Sequence, residues 1–294
     1  SGEDPESGIA EESFTVVDTG AKRIIDQSPD WRGILDAAFV SGNSYQIVYR
    51  VTNKVGLTTE VESVEFIYDQ TPPEELRITR PQTALAKGET GIFLAAATEK
   101  ESRIARYLLA IGSAANPREL TALIPGNTDG WITIDTNHST AEFRLEIPEI
   151  DDGTYYLTLA VENTAGLRAT IEAGTIEIDN QQERIIVNDQ GPYSMFDHTI
   201  TGFWHYTGDR AIKAYRYRLI DQDGNGVPNA DWRLTSLQSA TFDQLNLVTG
   251  KTYRFEVKAV FADDTESASG FSPGVTIDTS LPKITLFETP KYAT

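Results

Sequence analysis

Three stretches of the chain alternate apolar and polar positions in the same phase. Tyr45, Ile47, Tyr49 and Val51 flank Gln46, Val48 and Arg50. Tyr155, Leu157, Leu159 and Val161 repeat the pattern, as do Tyr253, Phe255, Val257 and Ala259, which flank Arg254, Glu256 and Lys258. A period of two with one apolar side predicts a half-buried antiparallel strand. Each stretch follows a glycine and a short polar spacer, Gly42-Asn-Ser, Gly153-Thr and Gly250-Lys-Thr. Tyr45, Val51, Gly56 and Asp69 lie 6, 5 and 13 residues apart, and Tyr155, Val161, Gly166 and Asp179 keep those spacings. From Tyr253 to Asp278 the distance is 25 rather than 24, one inserted loop residue. A second strand is predicted to end each copy, at Phe66–Tyr68, Ile176–Ile178 and Val275–Ile277, apolar one and three residues before the aspartate.

Upstream, Ile104-Ala-Arg-Tyr107-Leu-Leu-Ala-Ile111 parallels Ile212-Lys-Ala-Tyr215-Arg-Tyr-Arg-Leu219, and Trp31, Trp131 and Trp232 recur in the same order. No stretch sustains a helical period over three turns. Short strands with turn residues between them, in units near 100 residues, indicate an all-β chain of tandem sandwiches. The expected division is 1–69, 70–180, 181–279 and a tail, 280–294. The linkers are Gln70-Thr-Pro-Pro73, Asn180-Gln-Gln-Glu183 and Thr279-Ser-Leu-Pro282. Proline in two of them removes a donor and stiffens the junction.

Residues 199–278 resemble a fibronectin type III domain. The resemblance rests on Trp204, eleven residues before Tyr215-Arg-Tyr, and on Leu247-Val-Thr-Gly250-Lys-Thr-Tyr253-Arg-Phe-Glu-Val-Lys-Ala259. Residues 90–180 resemble bacterial Ig-like repeats of large surface proteins, through Ile150-Asp-Asp-Gly153-Thr-Tyr155 and Asn163-Thr-Ala-Gly166, with Ala96 where Trp204 would align. The resemblance implies Ig/fibronectin type III-like sandwiches with the tryptophan in the core. It also implies a corner tyrosine whose hydroxyl binds upstream backbone, a role that falls on Tyr155 and Tyr253.

The two ends of the chain carry a separate expectation. Phe14 precedes Trp31 by 17 residues, as Tyr215 precedes Trp232. That alignment makes 14–17 the third strand of a sandwich, so 1–69 is expected to hold only later strands. Residues 5–13 are then expected to fold back as a substitute strand, or a neighbouring chain or a further segment fills the gap. Lys283-Ile-Thr-Leu-Phe287 resembles Leu76-Arg-Ile-Thr79 and is expected to open a further domain, which makes 1–294 part of a longer array.

Charge narrows the range of partners. Of 294 residues, 44 are acidic and 25 basic, a net charge of −19. The divisions above carry −8, −8, −4 and +1 in order, so each folded unit repels phosphate backbones and no nucleic-acid partner is expected. No run of apolar residues is long enough to span a membrane. The chain has no cysteine, which excludes disulfides, thiolate metal sites and cysteine nucleophiles. Together with the repeats, this points to an extracellular or bacterial cell-surface setting, or the periplasm.

Candidate chemistry is sparse. The three histidines are His138, His198 and His205, with the last two expected on opposite faces of one strand-like run. No nucleophile elbow, phosphate loop or zinc-protease motif occurs, so no catalytic residue is expected and the chain is read as not an enzyme. Asp221-Gln-Asp223-Gly-Asn225-Gly226 matches the first half of an EF-hand loop, but position 12 is Trp232. A solvated hairpin loop is the preferred reading there; calcium on Asp221, Asp223 and Asn225 is the one cofactor candidate. The repeated tryptophans either stack on sugars or close the sandwich edge, and their recurrence favours packing. If adjacent strands pair as in the resembled fold, Arg216, Arg218, Arg254 and Lys258 share one outward face, interrupted by Glu256. Leu108, Ala110, Tyr156 and Ala160 form an apolar outward face in the preceding copy. Both faces are candidate surfaces for a protein or glycan partner. Flanking domains or a neighbouring copy are further expected partners. The function read from these features is a non-catalytic tandem module of a bacterial surface or secreted protein, a spacer with an adhesion or assembly surface. The alternative is an ancillary carbohydrate-binding segment of a larger secreted enzyme.

Overall fold

The computed structural model describes residues 3–33, 38–81 and 83–283. Residues 284–294, which include most of the expected terminal strand, lie outside the described residues. Five strands come first: β1 (Ile9–Asp18), β2 (Arg23–Ser28), β3 (Ser44–Asn53), β4 (Thr58–Glu62) and β5 (Phe66–Ile67). They make one sheet in the order β2-β1-β3-β4, with β5 also on β3. Among the described residues of 1–69 no second sheet faces it. Residues 9–13 do not fold back. They continue β1, because their backbone completes the antiparallel ladder against residues 50–53 of β3. Phe14 lies opposite Tyr49, whereas Tyr215 lies opposite Ala259, so the strand is the expected one and its register differs by two residues.

The next strands are β6 (Glu74–Thr79), β7 (Thr90–Thr98), β8 (Ile104–Gly112), β9 (Ile132–Asp135), β10 (Thr140–Glu146), β11 (Gly153–Asn163) and β12 (Arg168–Ile178). They form a three-stranded sheet, β10-β7-β6, and a four-stranded one, β12-β11-β8-β9. A single helical turn, α1 (Glu119–Ala122), lies against β8. The last strands are β13 (Ile185–Asp189), β14 (Tyr193–Ser194), β15 (Ile200–Tyr206), β16 (Ile212–Asp221), β17 (Arg233–Thr235), β18 (Ser239–Phe242), β19 (Thr252–Phe261), β20 (Gly270–Phe271) and β21 (Val275–Ile277). Their sheets are β13-β15-β18 and β14-β21-β19-β16-β17, with β20 on β19. The upstream parallels seen in the sequence share a register: Tyr107 opposes Val161 and Tyr215 opposes Ala259.

Two compact units emerge. The first holds Ser1–Thr79, Leu94–Phe143 and Tyr156–Gly174; the second holds Arg80–Phe93, Arg144–Tyr155 and everything from Thr175 on. The boundary runs through strands β7, β10, β11 and β12. In the second unit Trp204, Tyr215, Tyr217, Phe242 and Phe255 fill one core with Leu219, Val257 and Ile277. The Trp204 ring stands 5.3 Å from Tyr217 and 6.0 Å from Phe255. Burial of each such side chain contributes on the order of 1.5–3 kcal/mol.

The repeated tyrosine is buried in all three copies, at 1%, 6% and 5% exposure for Tyr45, Tyr155 and Tyr253. Tyr45 and Tyr253 accept the backbone N–H groups of Val40 and Val248, at 2.8 and 3.0 Å. Tyr155 instead donates to the carbonyl of Asp151 at 2.9 Å. The glycine before each tyrosine makes the approach possible: Gly42 and Gly250 sit at φ +87° and +84°, a region costly for residues with a Cβ. Their N–H groups bind Tyr68 and Ile277, closing the turn onto the end of the same copy.

Tyr253→Phe removes the acceptor for the Val248 N–H while keeping the ring. It is expected to cost about 1 kcal/mol, read as a lower denaturant midpoint at unchanged slope.

Candidate functional site

Buried polar side chains gather where one sequence repeat passes into the next. In the first unit, Asn163 ends β11 and is 1% exposed. Its Oδ1 accepts the N–H groups of Ala165 and Leu167, at 3.1 and 2.9 Å, and so shapes its own hairpin. Its Nδ2 reaches the linker, donating to Asp69 at 2.8 Å and to the Thr71 carbonyl at 3.1 Å, and also to Glu99 at 3.1 Å. Glu101 adds a second tie, accepting from Ser41 at 2.5 Å and Thr71 at 2.8 Å. The same device stands one repeat earlier. Asn53 Oδ1 accepts from Val55 and Leu57, and Nδ2 donates 2.9 Å to Asp4. Hydrogen bonds from the Ser7 backbone and the Asn53 side chain, acting against a small desolvation, hold the Asp4 carboxyl down to about 2. The third copy has Phe261 at this position.

In the second unit the joint is built differently. Arg184 donates to the carbonyls of Ala84 at 2.6 Å and Asp179 at 2.7 Å, and lies 3.4 Å from Glu89. Burial pushes the Glu89 carboxyl up, and Arg184 opposes that shift. Asn188 on β13 donates to the Gly88 carbonyl at 2.8 Å and accepts from Thr90 at 2.9 Å. Arg144 donates to the Gly274 carbonyl at 2.8 Å, and the Gly274 N–H donates to Asp189 at 2.6 Å. Linker residue Asn180 binds the Lys87 N–H and the Ile150 carbonyl, at 2.8 and 2.9 Å. Ile186 is 2% exposed although it faces away from the core side of β13, opposite His205 on β15. Gly88, which packs beside the His205 ring, sits at φ +75°, a region costly for a residue with a Cβ. These groups are legible one by one in the sequence, but nothing there brings residues 84–90 onto 184–189.

The sequence-derived sites fare unevenly. Arg216, Arg218, Arg254 and Lys258 do share one face, with Arg216 opposite Lys258 and Arg218 opposite Glu256. Their charge is largely matched. Arg218 meets Glu256 at 2.6 Å, while Glu266 takes both Arg216 at 2.9 Å and Lys258 at 3.2 Å. Trp232 lies among them, its ring 5.0 Å from Arg216, 4.8 Å from Arg218 and 5.8 Å from Lys258. Trp131 is covered in the same way by Arg118 and Arg168, at 4.9 and 4.7 Å. Trp31 departs from the packing expectation and is 52% exposed. Leu108, with Ala110 and Ala160, does not form an open apolar face; all three are buried. The segment carrying α1 covers β8: Leu120 is fully buried, and Thr121 Oγ1 accepts from Ile111 and donates to the Gly130 carbonyl. An apolar strand face recruits its nearest loop. Tyr156 alone of that group is exposed.

The Asp221 carboxylate is taken up by its own hairpin, accepting N–H groups from Asp223 at 3.0 Å and Asn225 at 2.9 Å. Those bonds hold its pKa below the usual carboxylate range. The loop that carries Asp221, Asp223 and Asn225 is thus closed by internal bonds, a poor fit to an ion cage. Among the described residues no three His, Asp or Glu side chains gather to hold a metal. His198 pairs with Asp197 at 3.2 Å outside β15, far in role from His205 at the joint. No described helix is long and apolar enough to cross a membrane.

Asn163→Ala is expected to lower stability by about 2–3 kcal/mol and to speed amide exchange at Ala165 and Leu167. Asn163→Asp keeps the acceptor but sets a carboxylate beside Asp69 and Glu99. Its folded-state pKa is raised, so its melting temperature should fall further behind the wild type as pH rises above the carboxylate range. His205 has the opposite sign. Burial lowers its pKa, with Glu146 partly offsetting, so the unfolded chain binds the extra proton first. Stability should drop as pH falls from about 7.5 to 5, and His205→Gln should remove that part of the slope in thermal melts.

No family model and no curated protein matches the chain. Among solved structures it is similar to the fibronectin(III)-like modules of Clostridium thermocellum CbhA, at 14% identity over 72% of this chain and 100% of that one, with a TM-score of 0.24. It is similar to the chicken CNTN1 FN1-FN3 domains at 12% identity, over 90% and 87% of the two chains, with a TM-score of 0.28. A third likeness, to dimeric latent PorU from Porphyromonas gingivalis, has 12% identity over 92% of this chain and 30% of that one, with a TM-score of 0.34. The strands give an all-β fold: one five-stranded sheet in 1–69, then two repeats of two sheets each, the last enclosing a core around Trp204 as a fibronectin type III-like sandwich.

Proposed function

We propose that this chain is a non-catalytic spacer of a bacterial surface or secreted protein, divided at 69/70 and 180/181, whose working parts are its joints. One observation carries the reading. The polar side chains of Asn163, Arg184 and Asn188 are buried or half-buried and tie one repeat to the next rather than converging on an open pocket. A linker pinned by several hydrogen bonds costs about as much to bend as those bonds are worth, roughly 0.5–1.5 kcal/mol each. Such joints suit a module that transmits position or force, and outward faces such as the one around Trp232 then serve adhesion.

Residual dipolar couplings test this. Amides of β3 and β11 are expected to share one alignment tensor in the wild type and to report separate tensors in Asn163→Ala. Independent tensors in the wild type would overturn the spacer reading.

A further inference from the structure

Strand register lays out the outward face around Trp232 as a grid. Residues opposite each other in neighbouring strands share a side, as do alternate residues of one strand. One row runs Leu234, Arg216, Lys258 across β17, β16 and β19. The next runs Arg218, Glu256, Phe271 across β16, β19 and β20, and Arg254 follows on β19. Leu234 is 67% exposed and Phe271 50%, so an apolar side chain stands open at each edge of a cationic middle. Four cations on this face meet two glutamates. Glu266 serves Arg216 and Lys258 together, while the buried Glu256 serves Arg218 and Ser269. Arg254 stays outside that matching and makes no ion pair among the described residues. The face is a positive island on a chain whose net charge is −19.

We infer that this face holds an acidic polypeptide segment of another protein. Its carboxylates lie over Arg254, Arg216 and Lys258, and an apolar side chain covers each of Leu234 and Phe271. Charge decides the sign of the partner. An incoming carboxylate gains most at Arg254, where no resident glutamate has to be displaced. The apolar edges decide the class. Leucine-like side chains of a peptide bury Leu234 and Phe271, whereas sugar hydroxyls gain little there. The indole, which would be the platform for a sugar ring, is already taken: Arg216 and Arg218 lie over it at 5.0 and 4.8 Å. The cations stand on paired strands, and Glu266 holds two of them, so little ordering is left to be done on binding. This partner gives the adhesion half of the spacer reading its chemistry and rests on that reading.

Fluorescence anisotropy tests this with the full chain and a labelled synthetic peptide in which leucines flank a run of glutamates. Saturable binding is expected, weakening about tenfold between roughly 50 and 300 mM sodium chloride. Arg254→Glu is expected to weaken it about tenfold and Leu234→Ser about fivefold, each with an unchanged circular dichroism spectrum. Lys54→Glu makes the same charge change outside the face and is expected to leave binding unaltered. No saturable binding at millimolar peptide overturns the inference. An equal loss from Lys54→Glu overturns it too, because net charge alone then accounts for the effect. Binding of a uronic-acid polysaccharide but not of the peptide overturns it in favour of a glycan. Self-association in sedimentation that Arg254→Glu abolishes overturns it in favour of a second copy. The alignment tensors of the joints are measured separately, so failure here leaves the stiff-spacer reading standing.

Discussion

A phenolic oxygen bound to backbone four or five residues upstream sets the start of each long central strand, and most of the fold follows from that placement. The hydroxyls of Tyr45, Tyr155 and Tyr253 hold the turn before the strand while their rings enter the core. With the start held, alternation sends Phe255, Val257 and Ala259 inward and Arg254, Glu256 and Lys258 outward. A one-residue slip would exchange those two sets, which a buried face does not tolerate. The neighbouring strand then takes the same register in the second and third copies. The bond has two polarities: the hydroxyl accepts a backbone N–H in the first and third copies and donates to a carbonyl in the first and second. What the turn requires is one satisfied backbone group, and either an N–H or a carbonyl meets that need.

Beyond the cores, this molecule uses polar side chains mainly to fasten backbone. Asn163 serves a hairpin and a linker at once because an amide carries both an acceptor and two donors on a short stem. Arg184 does the equivalent work in the second unit with a longer, planar donor group that reaches two carbonyls. Both groups are largely out of water, where an unmet hydrogen bond is costly, so each joint is held in one arrangement. The cations around Trp232 and Trp131 follow the same economy of contacts. Guanidinium groups lie over both indoles, and around Trp232 they also pair with Glu256 and Glu266.

The candidate site was partly readable beforehand. Asn53 and Asn163 stand eight residues after Tyr45 and Tyr155, a recurrence as regular as the glycines, and it could have been read as a joint. Arg184, Asn188 and His205 give no such signal, because their partners lie about 100 residues away in sequence or on a facing loop. Strand pairing puts Arg216, Arg218, Arg254 and Lys258 on one side of the sheet. The neutralisation of Arg216 and Lys258 was not visible, since Glu266 reaches them from a separate turn. Leu108 failed as a surface residue for a related reason. Alternation tells which side of a strand a residue is on, not whether a loop later covers that side.

By itself the sequence determined the class of fold, the phase of every central strand, the tyrosine corners and the tryptophan core of the last repeat. Those features depend on interactions within a few residues or on a period of two, and both are written locally. Only the tertiary structure decided that residues 113–131 would roof β8 and that, among the described residues of 1–69, no second sheet would cover the first. Each of these depends on which segment comes to lie on an apolar strand face. That outcome is settled by chain geometry and competition among contacts, and no local pattern of residues encodes it.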